Sequence, residues 1–482
     1  MLAILLSFSS CVIKQKYDYS DLTKYITIPT INGHEIKVEL DMVQMTIDQD
    51  IATLSTDKYV ALAGDSVNVV ITITEYKTAG VDSSGNPIDQ YGEVWFSTDV
   101  ESTKDTKETI TINNLGAGTF LTSIENRILK SKIGETTTEN DFIIPSLEEM
   151  ATLQANYPTV YEKLAAHVGQ KAFISYSFIS RPVREGDVVS VTYTGYETDA
   201  SGEILVDASG KQVAFDGGSG TSKVYIGSRT FIEDFEKGLI GMTVGTEGQF
   251  KATFPSDYGA EGTDAAKLNG KTVVFKATVT TIYQVPTYDL AYTQTNYGDK
   301  YTSIEQFEQE LINSYAAQQI VSYLVSNSTV IKYPEKEYKL IKQQLNESAA
   351  DIYSQYQMTV EEYLKYNGYE SIDAYIYAVM KAEMAYYAYA QINGLVVTDA
   401  DIEKAKTDLL AVYKNQYLNN STTATEADAT AYANACVEKL TEAELYQEAL
   451  YAVVGDHIIT QYKLTTVPMT YTSVTDGGSL FD

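Results

Sequence analysis

Two rhythms divide the chain. Between about residues 31 and 286, apolar positions fall in short β-branched runs such as Val67-Asn68-Val69-Val70-Ile71-Thr72-Ile73 and Val188-Val189-Ser190-Val191-Thr192-Tyr193-Thr194. Runs of this kind between turn residues predict strands. Asp82-Ser83-Ser84-Gly85, Asp199-Ala200-Ser201-Gly202 and Asp207-Ala208-Ser209-Gly210 supply the turns. One stretch inside this region, Ser146 to Ala166, reads as a helical insert. From about 299 the period becomes helical, with Ile304, Phe307, Leu311 and Tyr315 on one face. Ser303-x-x-Gln306, Thr359-x-x-Glu362 and Thr398-x-x-Asp401 resemble capping boxes. With Pro334 and Gly394 as breaks, the pattern predicts helices near 302–328, 335–356, 359–366, 371–392, 398–418 and 425–454. Only five of the 30 glycines lie beyond 298, in keeping with that change. A third pattern opens the chain: Met1 to Phe8 is almost wholly apolar, but shorter than the ~20 residues that span a bilayer. The polar stretch from Val12 to about Thr30 reads as a tether.

The strand-rich region repeats itself. Gly64-Asp65-Ser66-Val67 matches Gly186-Asp187-Val188-Val189. Leu115 to Leu121 matches Ile226 to Ile232, and the register holds from Gly116/Gly227 to Gly134/Gly245, both pairs 111 residues apart. Val168-Gly169-Gln170-Lys171 then matches Leu268-Asn269-Gly270-Lys271. The pattern predicts a tandem duplication of one fold.

Composition narrows the chemistry. With 35 Lys+Arg against 65 Asp+Glu the net charge is −30, which argues against a nucleic-acid partner. Two cysteines, Cys11 and Cys436, provide no disulfide framework. The three histidines are far apart in sequence and distant from both cysteines. Metal sites and Cys–His or Ser–His nucleophiles therefore have little material to draw on. Tyrosine is abundant, 39 against 14 Phe and one Trp. Its apolar face and polar tip suit contact surfaces in water.

The second β block carries an ordered series: Gly186-Asp187, Val191-Thr192-Tyr193-Thr194-Gly195, Phe215-Asp216, Ile226-Gly227, Phe231-Ile232-Glu233-Asp234-Phe235-Glu236-Lys237-Gly238-Leu239, Gly241-Met242-Thr243-Val244-Gly245, Phe254-Pro255-Ser256-Asp257-Tyr258-Gly259-Ala260 and Leu268 to Phe275. This series resembles the FKBP-type peptidyl-prolyl cis-trans isomerases, most closely the version found in trigger factors. The resemblance covers about 184–286. It implies a twisted antiparallel sheet wrapping one short helix, about Phe231 to Ile240, and an activity that needs no cofactor. It also implies that Phe215, Phe231, Ile232, Phe235 and Phe275 bind the proline ring together with Tyr193, that Asp216 is polar at the rim, and that Tyr258 donates its hydroxyl to a substrate carbonyl. Tyr193, Asp216 and Tyr258 are thus the candidate catalytic residues. The first block departs from the series: Tyr193 is matched by Ile71 and Phe235 by Ile124. It is expected to be a degenerate, non-catalytic copy.

The helical third resembles the C-terminal chaperone domain of trigger factors, through Val325-Ser326-Asn327-Ser328-Thr329-Val330 before Pro334 and through Ile392-Asn393-Gly394-Leu395-Val396-Val397-Thr398-Asp399. The resemblance implies arms that hold unfolded chains. About half of the tyrosines from Tyr353 to Tyr389 are expected to pack the helices and the others to meet clients. No basic ribosome-docking loop is evident. At the N-terminus, Phe8-Ser9-Ser10-Cys11 resembles a bacterial lipobox, which implies lipidation of Cys11 and a membrane anchor. The expected fold class is α+β: two tandem FKBP-like antiparallel β domains followed by an all-α chaperone domain of trigger-factor or SurA-like type. The expected boundaries are a signal segment 1–11, a tether 12–30, a degenerate block 31–183, an isomerase block 184–286, a helical domain 287–470 and a tail 471–482. The expected function is a prolyl isomerase and chaperone for unfolded or nascent exported polypeptides, on the outer face of a bacterial membrane, without ribosome or nucleic acid. The alternatives are a non-catalytic holdase and an acidic surface adhesin.

Overall fold

The computed structural model describes residues 22–98, 109–261, 263, 265–298, 300–419 and 425–469. Cys11 and the expected tail lie outside the described residues. The chain divides into two compact units, one of residues 41–307 and one that joins 308–468 to the residues up to 40.

The first unit follows helix α1 (Leu40–Leu54) with strands β1 (Val67–Val81), β2 (Pro87–Ser97), β3 (Ile110–Ile112), β4 (Thr136–Ile143) and β5 (Lys171–Ser180). These pair antiparallel in the order β2-β1-β5-β4, with β3 also on β1. Helix α2 (Thr122–Ile128) packs on this sheet, and the predicted insert is two helices, α3 (Ala151–Asn156) and α4 (Pro158–Ala165). Pro158 opens α4 at a position where its missing N–H costs nothing. The second sheet has strands β6 (Val188–Tyr196), β7 (Ala214–Tyr225), β8 (Glu247–Thr253) and β9 (Thr272–Tyr283), antiparallel in the order β8-β9-β6-β7, with helix α5 (Glu233–Leu239).

The two sheets are copies in detail. Helices α2 and α5 begin and end 111 residues apart. Gly64 donates to the Leu115 carbonyl and Leu115 to that of Asp65; Gly186 does the same with Ile226, and Ile226 with Asp187. The copies nevertheless share one apolar core, from Ile71, Ile73 and Phe178 through Val189 and Val191 to Phe235 and Ile282. The segment before β1 pairs with the end of β9: Tyr59 N–H donates to the Ile282 carbonyl at 3.0 Å, and Gln284 N–H to that of Asp57 at 2.8 Å. A polar joint accompanies the core. Arg181, 1% exposed, bonds both oxygens of Asp187 at 2.6 Å. Its guanidinium lies 3.9 Å from the Tyr59 ring centre. The Tyr59 hydroxyl donates to Asp65 at 2.8 Å, and Arg184 reaches the same carboxylate at 2.7 Å. Burial, with help from Asp65, pushes the Tyr59 hydroxyl up to about 12.

The second unit is chiefly helical, with Ile304–Ser326, Glu335–Glu347, Ala349–Tyr356, Val360–Tyr366, Ile372–Ile392, Asp399–Asn419, Glu426–Glu438 and Glu442–Ile458. Its interior includes Ile312, Ala316, Ile320, Leu324, Ile376, Met380 and Met384. Capping boxes form at Thr359, Thr425 and Thr441. Four sequence expectations need correction. The helix expected over 335–356 divides at Ser348 into Glu335–Glu347 and Ala349–Tyr356. The helix expected over 425–454 is two helices, because Thr441 caps a new one and takes the Glu444 N–H. Residues 22–30 are not tether: Leu22 and Ile26 are buried, and Ile26 pairs antiparallel with Val330. The first β block does not begin at 31, since Glu35–Glu39 pairs in parallel with Lys463–Val467 inside the helical unit.

Candidate active site

Helix α5 sets the floor of the site. Glu233, Asp234 and Glu236 place negative charge in its first turn, where the helix dipole favours it. Phe235 points inward, 2% exposed, and gathers other rings around it. Its centroid lies 4.8 Å from Phe275 and 5.1 Å from Tyr193, both edge to face, and 5.4 Å from Phe231. Edge-to-face packing sets a positive ring edge on a negative ring face, so the cluster has a preferred shape as well as a burial gain. Tyr193 also meets Phe275 at 6.0 Å, as does Phe215 from the other side. Of the residues identified from the sequence, Tyr193, Phe215, Phe231, Phe235 and Phe275 thus converge, with half-buried Ile232 beside them.

The two remaining candidates are exposed. Asp216 is exposed and takes no hydrogen bond from a described residue. Tyr258 is 46% exposed and rests its ring 4.7 Å from Phe254. The Tyr258 loop is tied down by Asn269, whose side chain accepts from Gly259 N–H at 2.7 Å and donates back to its carbonyl at 3.0 Å. The geometry therefore offers an aromatic floor with the Tyr258 phenol beside it, linked to Phe215 through Phe254. Such a site can desolvate an amide and hold a ring, but provides no nucleophile. Among the described residues no group of three or more His, Cys, Asp or Glu could hold a metal.

Sequence reasoning missed three contributors. Phe250, 5.7 Å from Phe235, and Phe254, 5.9 Å from Phe215, extend the cluster. The signal for Phe250 lay in the glycine opposite, since a Cβ on Gly238 would enter the Phe250 ring. The third is Glu236, also 2% exposed. Its carboxylate accepts the backbone N–H groups of Gly227 at 2.7 Å, Arg229 at 3.2 Å and Phe231 at 3.0 Å. Burial raises its pKa, and the three donors oppose that rise.

In the first block the same place is filled. Ile71 and Ile124 are fully buried where the second block has Tyr193 and Phe235. The insert adds Leu153, Val160 and Leu164 to the core, and Tyr157 meets Phe120 edge to face at 5.0 Å.

Residues 180–280 match the family model of the FKBP-type peptidyl-prolyl cis-trans isomerases. The trigger factor of Lachnoclostridium phytofermentans is 23% identical over 256 residues, 48% of this chain and 54% of that protein. That of a Marinomonas species is 33% identical over 130 residues, 27% of this chain and 24% of that one. The chain thus spans about half or less of the curated relatives it matches. A solved structure of the trigger factor chaperone, from work on its promiscuous substrate recognition, is matched at 13% identity and a TM-score of 0.18, over 74% of this chain and 90% of that one. The chain is thus similar to trigger factors over about half its length, and its residues 180–280 match the family of FKBP-type peptidyl-prolyl cis-trans isomerases.

Proposed function

We propose that the protein is a peptidyl-prolyl cis-trans isomerase and chaperone that acts on unfolded polypeptides outside the cytoplasm. The aromatic cluster around Phe235 carries this reading. The X–Pro bond resists rotation through amide resonance, with a barrier of ~18–20 kcal/mol. Resonance separates charge, so water favours the planar amide and a dry site does not. The rings of Tyr193, Phe231, Phe235 and Phe275 receive the proline ring, with Phe215 and Ile232 at its flanks. Tyr258 donates its hydroxyl to the carbonyl of the substrate, and Asp216 orients the chain at the rim. A site that binds the twisted amide more tightly than either planar form gains tenfold in rate for each ~1.4 kcal/mol of difference.

The helical unit would hold the client. Of the tyrosines between 353 and 389, Tyr353, Tyr356, Tyr366 and Tyr377 are exposed, whereas Tyr363, Tyr375, Tyr386 and Tyr389 are buried. The exposed members offer sequence-tolerant apolar contact. They also favour a second reading, a holdase whose isomerase domain serves only as scaffold. Anchoring through a lipidated Cys11 follows from the Phe8-Ser9-Ser10-Cys11 pattern alone. Among the described residues no helix is long and apolar enough to cross a membrane.

A protease-coupled assay on X–Pro peptides tests the enzyme. The wild type should exceed the uncatalysed rate, and Tyr258→Phe or Phe235→Leu should lower kcat/KM. A wild-type rate at background, together with suppression of client aggregation, would leave the holdase reading. Loss of membrane fractionation in Cys11→Ala tests the anchor.

A further inference from the structure

We propose that Glu236 is a positioning residue for the isomerase site, a role that rests on the prolyl-isomerase reading above. Its carboxylate binds three backbone N–H groups of the loop from Gly227 to Phe231, and that loop forms the wall that ends in Phe231 and Ile232. Every second residue of the loop is tied to one side chain, so Phe231 is fixed against Phe235 from behind. The loop needs the restraint. Arg229 lies in the left-handed region at φ 61°, where a side chain crowds the following carbonyl. Strain of this kind persists only where surrounding bonds over-determine it. The Arg229 N–H is one of the three that Glu236 holds.

The first block supplies a built-in comparison. Glu125, 111 residues before Glu236, is fully buried and accepts from Gly116 at 2.7 Å, Gly118 at 2.9 Å and Phe120 at 2.6 Å. The position matching Arg229 is Gly118, left-handed at φ 72° without side-chain strain. The clamp is therefore common to the fold, but in the first block it holds a wall that faces the protein's own insert.

The experiment sets Glu236→Ala against Glu125→Ala in the full chain, with Glu236→Gln as a third variant that keeps one acceptor oxygen. Circular dichroism and thermal midpoints establish folding. A misplaced wall should lower kcat/KM of Glu236→Ala about ten- to a hundredfold, with Glu236→Gln between it and the wild type. Amide exchange at Gly227, Arg229 and Phe231 should accelerate. Glu125→Ala should lose a similar amount of thermal stability and keep wild-type kinetics. The inference is overturned if folded Glu236→Ala retains wild-type kcat/KM, or if Glu125→Ala loses as much activity. A wild type without activity would instead sink the isomerase reading, and exchange at the three amides would still report whether the clamp holds the loop.

Discussion

At the scale of single residues, the repeat makes some side chains interpretable that one copy would leave obscure. Arg229 and Gly118 occupy the same left-handed place. Arg229→Gly removes ~1–2 kcal/mol of strain and adds ~0.5–1 kcal/mol of chain entropy to lose on folding. A net gain of about 0.5–1 kcal/mol is expected in denaturant midpoints. Gly195→Ala works the other way, because its Cβ would enter the Phe215 ring and displace it. Overpacking of this kind costs ~1–3 kcal/mol, and binding of a prolyl peptide should weaken with it. Tyr193, Phe215, Phe231, Phe235 and Phe275 were legible in the sequence through the ordered motifs that carry the family resemblance, whereas Phe250 and Phe254 were not assigned. Glu236 was not, because a glutamate in a short acidic helix reads as a solvent-facing charge. Its clue was that Glu125 recurs at the same spacing while the aromatic next to it changes to Ile124.

At the scale of elements, legibility followed locality. Capping boxes are local, and the one at Thr359 formed as its spacing predicts. The break at Thr441 carried the same signal but lay within an otherwise continuous apolar pattern. Thr441→Ala should cost about 1 kcal/mol by denaturant midpoint. The burial of Leu22 and Ile26 could not be foreseen, because it depends on partners near residues 391 and 330, and local polarity carries no trace of them. Electrostatics inside the last helix gives a test of its own. Burial, and then the neighbouring Glu444, raise the pKa of Glu448. A carboxyl raised in the folded state is no handicap while both states are protonated. It destabilises as pH climbs from the unfolded carboxylate range through the folded pKa. Glu448→Gln should therefore raise the melting midpoint at pH 7, and the gain should vanish in acid.

At the scale of the whole molecule, the duplication was visible but the fusion of its halves was not. Offsets between glycines reveal a repeat, whereas a common core arises only when both sheets are present. One core predicts one unfolding transition for residues 41–307, with residues 184–286 alone markedly less stable by calorimetry. The joint at Arg181 sharpens this. Asp187→Ala would leave a buried guanidinium without its carboxylate, at a cost of about 3–5 kcal/mol. Adding Arg181→Met should recover most of the loss, since an apolar pair of similar volume can replace a buried ion pair.

The pairing of Asp57 with Gln284 has a consequence in time. Long separations between contacting residues slow folding, and here the partner does not exist when the first half leaves the synthesis machinery. At ~5–20 residues per second, roughly 11–45 s elapse before Gln284 follows Asp57. Through that interval the Tyr59 segment has its partners at residues 131–133 of its own block, while the Ile282 carbonyl that takes the Tyr59 N–H is absent. A protein proposed to help other chains finish folding thus begins as a chain waiting for its own second half.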